Sequence, residues 1–193
     1  METFVIQFIH GLVYGLLLFL VASGLTLVFG MMSVLNIAHV SFYMLGAYLS
    51  YTMLKVVGNF WLALIVCPIL VALLGILMER LILRRVHAAG HVQEFVITFG
   101  ILFALNEMIK WIWGPENLSV PVPSALSGSL MIMGNIYPAY RLFILFFSLL
   151  ILALLAFILM RTRLGITVRA MVSDRDMASA LGTNTPFVFM LVM

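Results

Sequence analysis

The chain has 193 residues, of which 65% are hydrophobic and 9% are charged, and its formal net charge is +3. Soluble domains carry about 25% charged residues, so this composition excludes an ordinary soluble protein. The ten Lys and Arg residues mostly flank apolar segments. They therefore indicate membrane topology rather than a basic binding surface, and we expect a lipid bilayer and no nucleic acid among the partners.

Five apolar segments are long enough to cross a bilayer, because the hydrocarbon core takes about 20 helical residues to span. These segments cover residues 5–29, 38–57, 60–78, 95–113 and 140–160. None alternates with the period of two that is typical of a membrane strand, so they are predicted as helices. The predicted fold class is all-α: a polytopic membrane helical bundle with five full spans and the start of a sixth, in one transmembrane domain over residues 1–193.

The last apolar stretch follows Pro186 and covers residues 187–193. It is too short to cross a bilayer. We expect the chain to be cut inside a sixth helix, which would make it the N-terminal portion of a longer protein. The alternative is a tail that lies at the membrane interface.

The distribution of Lys and Arg predicts which loops are cytoplasmic, because such loops carry an excess of both residues. Seven of the ten follow the third and fifth spans: Arg80, Arg84, Arg85, Arg161, Arg163, Arg169 and Arg175. The loop 115–138 contains neither residue type and is rich in Pro, Ser and Gly, as expected of an external loop. Alternation along the chain then places the N-terminus outside.

No charged residue lies between Glu2 and Lys55, yet polar side chains occur where the first span gives way to the second. The candidate residues for a substrate pathway are Asn36, His39, Ser41 and Tyr43. A solute in the bilayer must meet polar side chains or backbone freed from a helix, and Gly30 with residues 33–36 would supply such a break. The alternative is that these residues only form a short cytoplasmic turn between two spans.

Three further patterns concern helix packing. Residues 41, 44, 45 and 48 share one face of the second span. In the fourth span, Glu107 and Lys110 are three residues apart and are predicted to pair near its outer end. Glu94 is predicted at the inner start of that helix, where a carboxylate suits the helix dipole.

Residues 161–185 are too polar to span a bilayer and are predicted to form a cytoplasmic coupling segment with helical patterning. The expected apolar stripe consists of Val168, Met171, Val172, Ala178 and Leu181, and the expected water-facing residues are Arg169, Asp174, Arg175 and Asp176. Gly165 and Gly182 are predicted as breaks, the second as a C-terminal cap. A docking helix for a cytoplasmic partner and an amphipathic helix on the inner membrane surface both fit this pattern.

The chain carries no sequence motif of an enzyme. It lacks the G-x-x-x-x-G-K-[ST] phosphate-binding loop, the H-E-x-x-H metal motif and a nucleophile elbow. Its single cysteine, Cys67, allows neither an intramolecular disulfide nor a metal site. We therefore expect no catalytic activity, no cofactor and no metal, and ATP-driven uptake would need a separate subunit.

Five blocks of sequence follow one another along the chain. They are SGLTLVFG at 23–30, NIAHVSFYMLGAY at 36–48, TFGI at 98–101, TRLGITVRA at 162–170 and ASALG at 178–182. This series resembles the branched-chain amino acid ABC transporter permeases of the LivH type, in the LivH/LivM family. One departure is Val40, which stands where that family usually has Gly and is expected to crowd the break.

The resemblance implies the transmembrane permease subunit of an ATP-driven ABC importer for leucine, isoleucine and valine in the bacterial cytoplasmic (inner) membrane. It implies three kinds of partner: a second permease subunit, two cytoplasmic ATPase subunits and an external solute-binding protein. It also implies that the residues of the coupling helix are Arg169, Ala170, Ala178, Leu181 and Gly182. The alternative functions are uptake of urea or short-chain amides, and a self-contained channel or secondary carrier.

Overall fold

The computed structural model describes residues 2–32, 36–86, 90–116, 118–132 and 135–192. The helices are α1 (Glu2–Met32), α2 (Ala38–Val57), α3 (Phe60–Met78), α4 (Arg84–Val86), α5 (His91–Trp113), α6 (Ala139–Arg161), α7 (Arg163–Ser173), α8 (Arg175–Ala180) and α9 (Thr185–Val192). A π-helical segment, Glu79–Leu83, joins α3 to α4, and a 3-10 turn covers Ser124–Leu126. Two strands, β1 (Ser129–Ile132) and β2 (Asn135–Pro138), precede α6.

Five helices in the described ranges are long and apolar enough to cross a membrane. The candidate spans are Phe4–Gly30, Ala38–Val57, Phe60–Val86, Val92–Trp113 and Ala139–Arg161. The predicted all-α class and the five predicted spans are therefore confirmed. Each helix exposes large apolar side chains, as surfaces that face lipid or other membrane helices do.

The first helix is longer than predicted. α1 continues through Gly30 to Met32, so the predicted break at Gly30 is wrong. A Cβ atom at residue 30 would lie 3.5 Å from Cγ2 of Val172, so the end of α1 lies close to α7. The rest of the predicted break, residues 33–35, lies outside the described residues.

The third span also extends beyond its predicted end. The π-helical segment and α4 carry the helical chain past Met78 to Val86. Such a turn accommodates one extra residue in a helix and is frequent at functional positions. Here Glu79 and Leu83 are buried, whereas Arg80 and Arg84 are exposed.

The described chain divides into two compact units. The first consists of Met1–Gly24 and Pro121–Ile166, and it contains most of α1, the strands and α6. Its strands pair antiparallel, with Leu130 opposite Tyr137. Tyr137 is fully buried, and its hydroxyl lies 3.2 Å from Nδ1 of His10, so the hairpin is attached to α1. The guanidinium of Arg141 also hydrogen-bonds this His10 ring, at 3.0 Å from Nε2.

The second unit consists of Leu25–Val120 and Thr167–Met193. In it, α2 packs against both α3 and α5. The buried apolar core comprises Ala38, Phe42, Leu45, Met78, Leu83 and Ile109. At the other end of α2, the indole N–H of Trp113 donates to Thr52 Oγ1 at 2.7 Å and connects α5 to α2.

The connection between α2 and α3 explains why these two helices form a hairpin. Gly58 adopts a φ of 71°, a left-handed conformation that favours glycine, and it ends α2. The next residue, Asn59, caps α3, because its side-chain oxygen accepts from the backbone N–H of Trp61 at 3.0 Å and of Leu62 at 3.3 Å. The start of α2 and the end of the third span therefore lie at the same end of this unit.

The predicted pair on α5 is present. Lys110 Nζ lies 2.6 Å from Glu107 Oε1, and both side chains are exposed. An exposed ion pair of this kind contributes about 0–1 kcal/mol. The pair therefore adds little to the stability of the helix.

Candidate substrate pathway and coupling segment

The start of α2 buries polar side chains. Asn36 and Ser41 are each 1% exposed. Ser41 lies on the buried face of α2 with Ala38, Phe42 and Leu45. The predicted common face of residues 41, 44, 45 and 48 is confirmed, since Met44 and Tyr48 pack against the same core.

Two polar atoms near the start of α2, one on His39 and one on Ser41, lack hydrogen-bond partners within the described ranges. Nδ1 of His39 and Oγ of Ser41 are buried and accept or donate no hydrogen bond there. A buried polar group without a partner costs about 1–3 kcal/mol. On the same helix, Ser50 Oγ donates to the carbonyl of Gly46 at 2.8 Å, which is the usual way in which a helix satisfies a hydroxyl. Ser41 therefore differs from Ser50 in having a hydroxyl without a hydrogen-bond partner in the described ranges.

The structure does not bring all four candidate residues together. Tyr43 is 63% exposed, and Val40 is 47% exposed. Residues that are two positions apart in an α-helix are separated by about 200° around its axis. Tyr43 therefore lies on the side of α2 opposite Ser41. Val40 likewise faces outward, and it does not crowd the start of α2.

Two buried carboxylates were not predicted as site residues. Glu79 is 3% exposed in the π-helical segment, and Glu94 is 4% exposed in the first turn of α5. The helix-start position of Glu94 is as predicted, but its burial is not. Thr98, one turn later, is fully buried and donates its hydroxyl to the Phe95 carbonyl at 2.9 Å. Charged side chains inside membrane helices are rare and are commonly functional, so Glu79 and Glu94 are further candidates for a functional role.

The segment after α6 folds into two short helices. α7 buries Val168 and Met171, which are 4% and 2% exposed, and it exposes Arg169 and Ala170. Ala178 on α8 is 5% exposed. The predicted water-facing residues Arg169, Asp174, Arg175 and Asp176 are exposed, as expected.

Two members of the predicted apolar stripe are not buried. Val172 is 47% exposed and Leu181 is 80% exposed. Leu181 is the C-cap residue of α8, and its exposure contrasts with the burial of Ala178. With Met177, which is 58% exposed, Leu181 forms an exposed apolar tip at the end of α8. Met177 and Leu181 are the apolar tip.

The ends of α8 are fixed by hydrogen bonds. At its start, Asp174 Oδ1 accepts from the backbone N–H of Met177 at 2.9 Å. At its end, Gly182 has a φ of 89°, and its N–H donates to the Ser179 carbonyl at 3.0 Å. The N–H of Thr183 donates to the Ala178 carbonyl at 3.1 Å, which completes a Schellman motif. The predicted C-terminal cap at Gly182 is thus confirmed.

The bend between α6 and α7 lies at Thr162 rather than at Gly165. Thr162 has an extended backbone, and its hydroxyl donates to the Ile158 carbonyl at 2.6 Å. Gly165 is inside α7, where a Cβ atom would lie 2.5 Å from the carbonyl oxygen of Ile158 and closer still to that of Leu159. A glycine is therefore required for this close approach of the chain to the end of α6.

A polar groove of about 400 Å³ borders α8. It is lined by Arg175, Asp176, Ser179, Thr183, Asn184, Thr185 and Pro186. The Arg175 guanidinium lies 4.6 Å from the ring centroid of Phe189, and this cation–π contact connects α8 to α9. The apolar tip therefore projects from a segment that is held at both ends.

The five long apolar helices of the described ranges define a multi-pass membrane protein. The chain belongs to the family described as the permease component of the branched-chain amino acid transport system, whose family model matches residues 7–193.

Three relatives illustrate the similarity, and each is described as a high-affinity branched-chain amino acid transport system permease protein. BraD of Pseudomonas aeruginosa is 25% identical, over 93% of this chain and 62% of its own length. LivH of Salmonella typhimurium is 28% identical and LivH of Escherichia coli K12 is 27% identical, each over 97% of this chain and 65% of the relative. The chain thus spans less than two thirds of their length. No solved structure matches the chain significantly.

Proposed function

We propose that the chain is the transmembrane permease subunit of an ATP-driven ABC importer that carries leucine, isoleucine and valine across the bacterial cytoplasmic membrane. The names of its relatives support this solute class. The observation that carries the proposal is the apolar tip: Leu181, 80% exposed, projects from a capped, charged segment that is too polar to span the bilayer. An exposed leucine in such surroundings is stabilised when a protein partner covers it.

The partner in this proposal is one of two cytoplasmic ATPase subunits, which carry the ATP hydrolysis that this chain does not perform. Leu181 enters an apolar pocket of the ATPase, and Gly182 fixes the direction of Leu181 through its left-handed backbone. Arg169 and Ala170 form the exposed face of α7, and Ala178 packs α8 against the permease. Movement of the ATPase on ATP binding is transmitted through this segment.

The solute meets the permease at the start of α2. A branched-chain amino acid has a charged head and an aliphatic side chain. The unpartnered Oγ of Ser41 and Nδ1 of His39 supply polar contacts for the head, with Asn36 beside them. Ala38 and Phe42 on the same stretch pack into the core of the second unit and hold these polar atoms in position. A second permease subunit completes the pathway, and an external solute-binding protein delivers the solute.

The proposed orientation has the N-terminus outside. It places the arginine-rich residues 79–86 and the coupling segment 161–185 in the cytoplasm, as the distribution of Lys and Arg predicts. The loop 115–138, which lacks both residue types, then faces the binding protein.

Reconstitution of the intact protein in liposomes tests this function. We expect leucine uptake when the partner permease, the ATPases and the solute-binding protein are present with ATP, and none from the permease alone. Omission of ATP is the matched control. Uptake of leucine by the permease alone would instead establish a channel or secondary carrier, and competition by urea but not by valine would show that the solute class is wrong.

A further inference from the structure

A groove with both basic and apolar walls lies between the π-helical segment and α9, within the second unit. Its volume is about 280 Å³. The lining residues are Glu79, Arg80, Arg84, Asn184, Pro186, Phe187 and Met190. The groove belongs to neither the start of α2 nor the apolar tip of α8.

The basic side of the groove carries two arginine side chains that can bind an anion. Arg80 and Arg84 are four residues apart and exposed. Neither side chain forms an ion pair or hydrogen bond with a described residue. Glu79, the acidic residue in the wall, is 3% exposed and already interacts with another group of the chain. Two exposed guanidinium groups therefore set the electrostatic character of the groove.

The other side of the groove is apolar. Pro186, Phe187 and Met190 come from α9, and Phe187 is 49% exposed. Asn184 Oδ1 accepts from the backbone N–H of Phe187 at 3.2 Å and so fixes the start of α9. A ligand that fits both walls has an anionic head and a hydrocarbon body.

We propose that this groove binds an anionic phospholipid, with the phosphodiester between Arg80 and Arg84 and an acyl chain along Phe187 and Met190. Guanidinium groups pair well with phosphate oxygens. Basic pockets beside membrane helices are suited to anionic lipid headgroups. A free phosphate would use the arginines but not the apolar wall, which is why the geometry favours a lipid.

Native mass spectrometry of the intact protein, released from nanodiscs of phosphatidylcholine and phosphatidylglycerol, tests the proposal. We expect bound phosphatidylglycerol on the parent protein. Each arginine removed should weaken binding about fivefold, so the double variant R80Q/R84Q should bind about 25-fold more weakly. The variant R80K/R84K keeps the charge and should retain most of the lipid.

Arg85→Gln is the matched control, because Arg85 is exposed in the same helical stretch but does not line the groove. Retention of phosphatidylglycerol by R85Q and its loss from R80Q/R84Q would support the proposal. Equal melting temperatures in phosphatidylcholine alone would show that all variants fold. Equal loss from both variants would show a non-specific charge effect and overturn it. Displacement of the lipid by soluble glycerol 3-phosphate would overturn it in favour of a free phosphate site.

Discussion

The start of α2 and the end of α8 reverse the usual placement of side chains in opposite ways. In the charge-free part of the chain, Ser41 and His39 bury polar atoms that have no partner among the described residues. In the charged segment after α6, Leu181 and Met177 expose large apolar side chains. In the proposed function, a polar solute relieves the first arrangement and an apolar surface on another protein relieves the second.

The proposed function assigns a separate ligand to each of these two regions. A buried unpartnered hydroxyl costs about 1–3 kcal/mol, and burial of an exposed leucine gains about 1.5–3 kcal/mol. If the proposed function is correct, each region is more stable with its ligand bound than alone. Variants at the start of α2 should alter solute handling, whereas variants at the apolar tip should alter assembly and coupling.

The largest effect is expected from Leu181→Asp. The side chain is 80% exposed, so the permease should fold normally. A carboxylate placed in an apolar pocket is strongly unfavourable, and we expect coupled ATP hydrolysis to fall at least about tenfold. Co-purification of the ATPase and solute-stimulated ATP hydrolysis are the measurements.

Two control variants accompany Leu181→Asp. Leu181→Met keeps an apolar side chain and should preserve coupling. Val122→Asp adds the same charge at a 48% exposed position in the loop 115–138, and it should also be harmless. Unchanged association and ATP hydrolysis in Leu181→Asp would remove the apolar tip from the coupling site.

A smaller effect is expected from Asn36→Leu. Loss of one polar contact to a charged solute costs about 1.5–3 kcal/mol, so uptake should fall about tenfold or more. Assembly with the ATPases should change little, because Asn36 is 1% exposed and therefore not part of the surface that a partner would contact. Initial rates of leucine uptake, normalised to co-purified ATPase, measure the effect. Normal uptake kinetics would exclude Asn36 from the pathway.

The smallest effect is expected from Ser41→Ala, with Ser50→Ala as the matched control. Both changes remove one hydroxyl from α2, but Ser50 already donates to Gly46 and Ser41 has no partner in the described chain. We expect uptake to fall about fivefold for Ser41→Ala, with equal or higher thermal stability, and to stay unchanged for Ser50→Ala. Equal uptake by the two variants would show that the Ser41 hydroxyl does not meet the solute.

Much of the fold follows from hydropathy. The five long apolar runs give five helices, and the Gly58–Asn59 pair ends one helix and starts the next. The β-hairpin was not predicted, because its strands have four residues each and lie in a loop rich in Pro, Ser and Gly. Its position depends on long-range contacts between Tyr137 and His10, which no local pattern reveals.

The candidate sites were predicted less completely than the fold. The helical period places Ser41 on a packed face. It also groups Leu181 with Ala178 in one apolar stripe, although Ala178 is buried and Leu181 is exposed. The burial of Glu79 was missed because the apolar run ends at Met78, whereas the π-helical segment continues the helix. The roles of Asn36, His39, Ser41 and Tyr43 in a pathway, and of residues 169–182 in coupling, stay predictions.

The most direct test is the ratio of leucine uptake to ATP hydrolysis, measured on the same proteoliposomes of the complete transporter. We expect Ser41→Ala to lower this ratio, because uptake falls while hydrolysis continues. We expect Leu181→Asp to lower uptake and hydrolysis together. If both variants changed the two rates in the same proportion, the two regions would not serve different ligands.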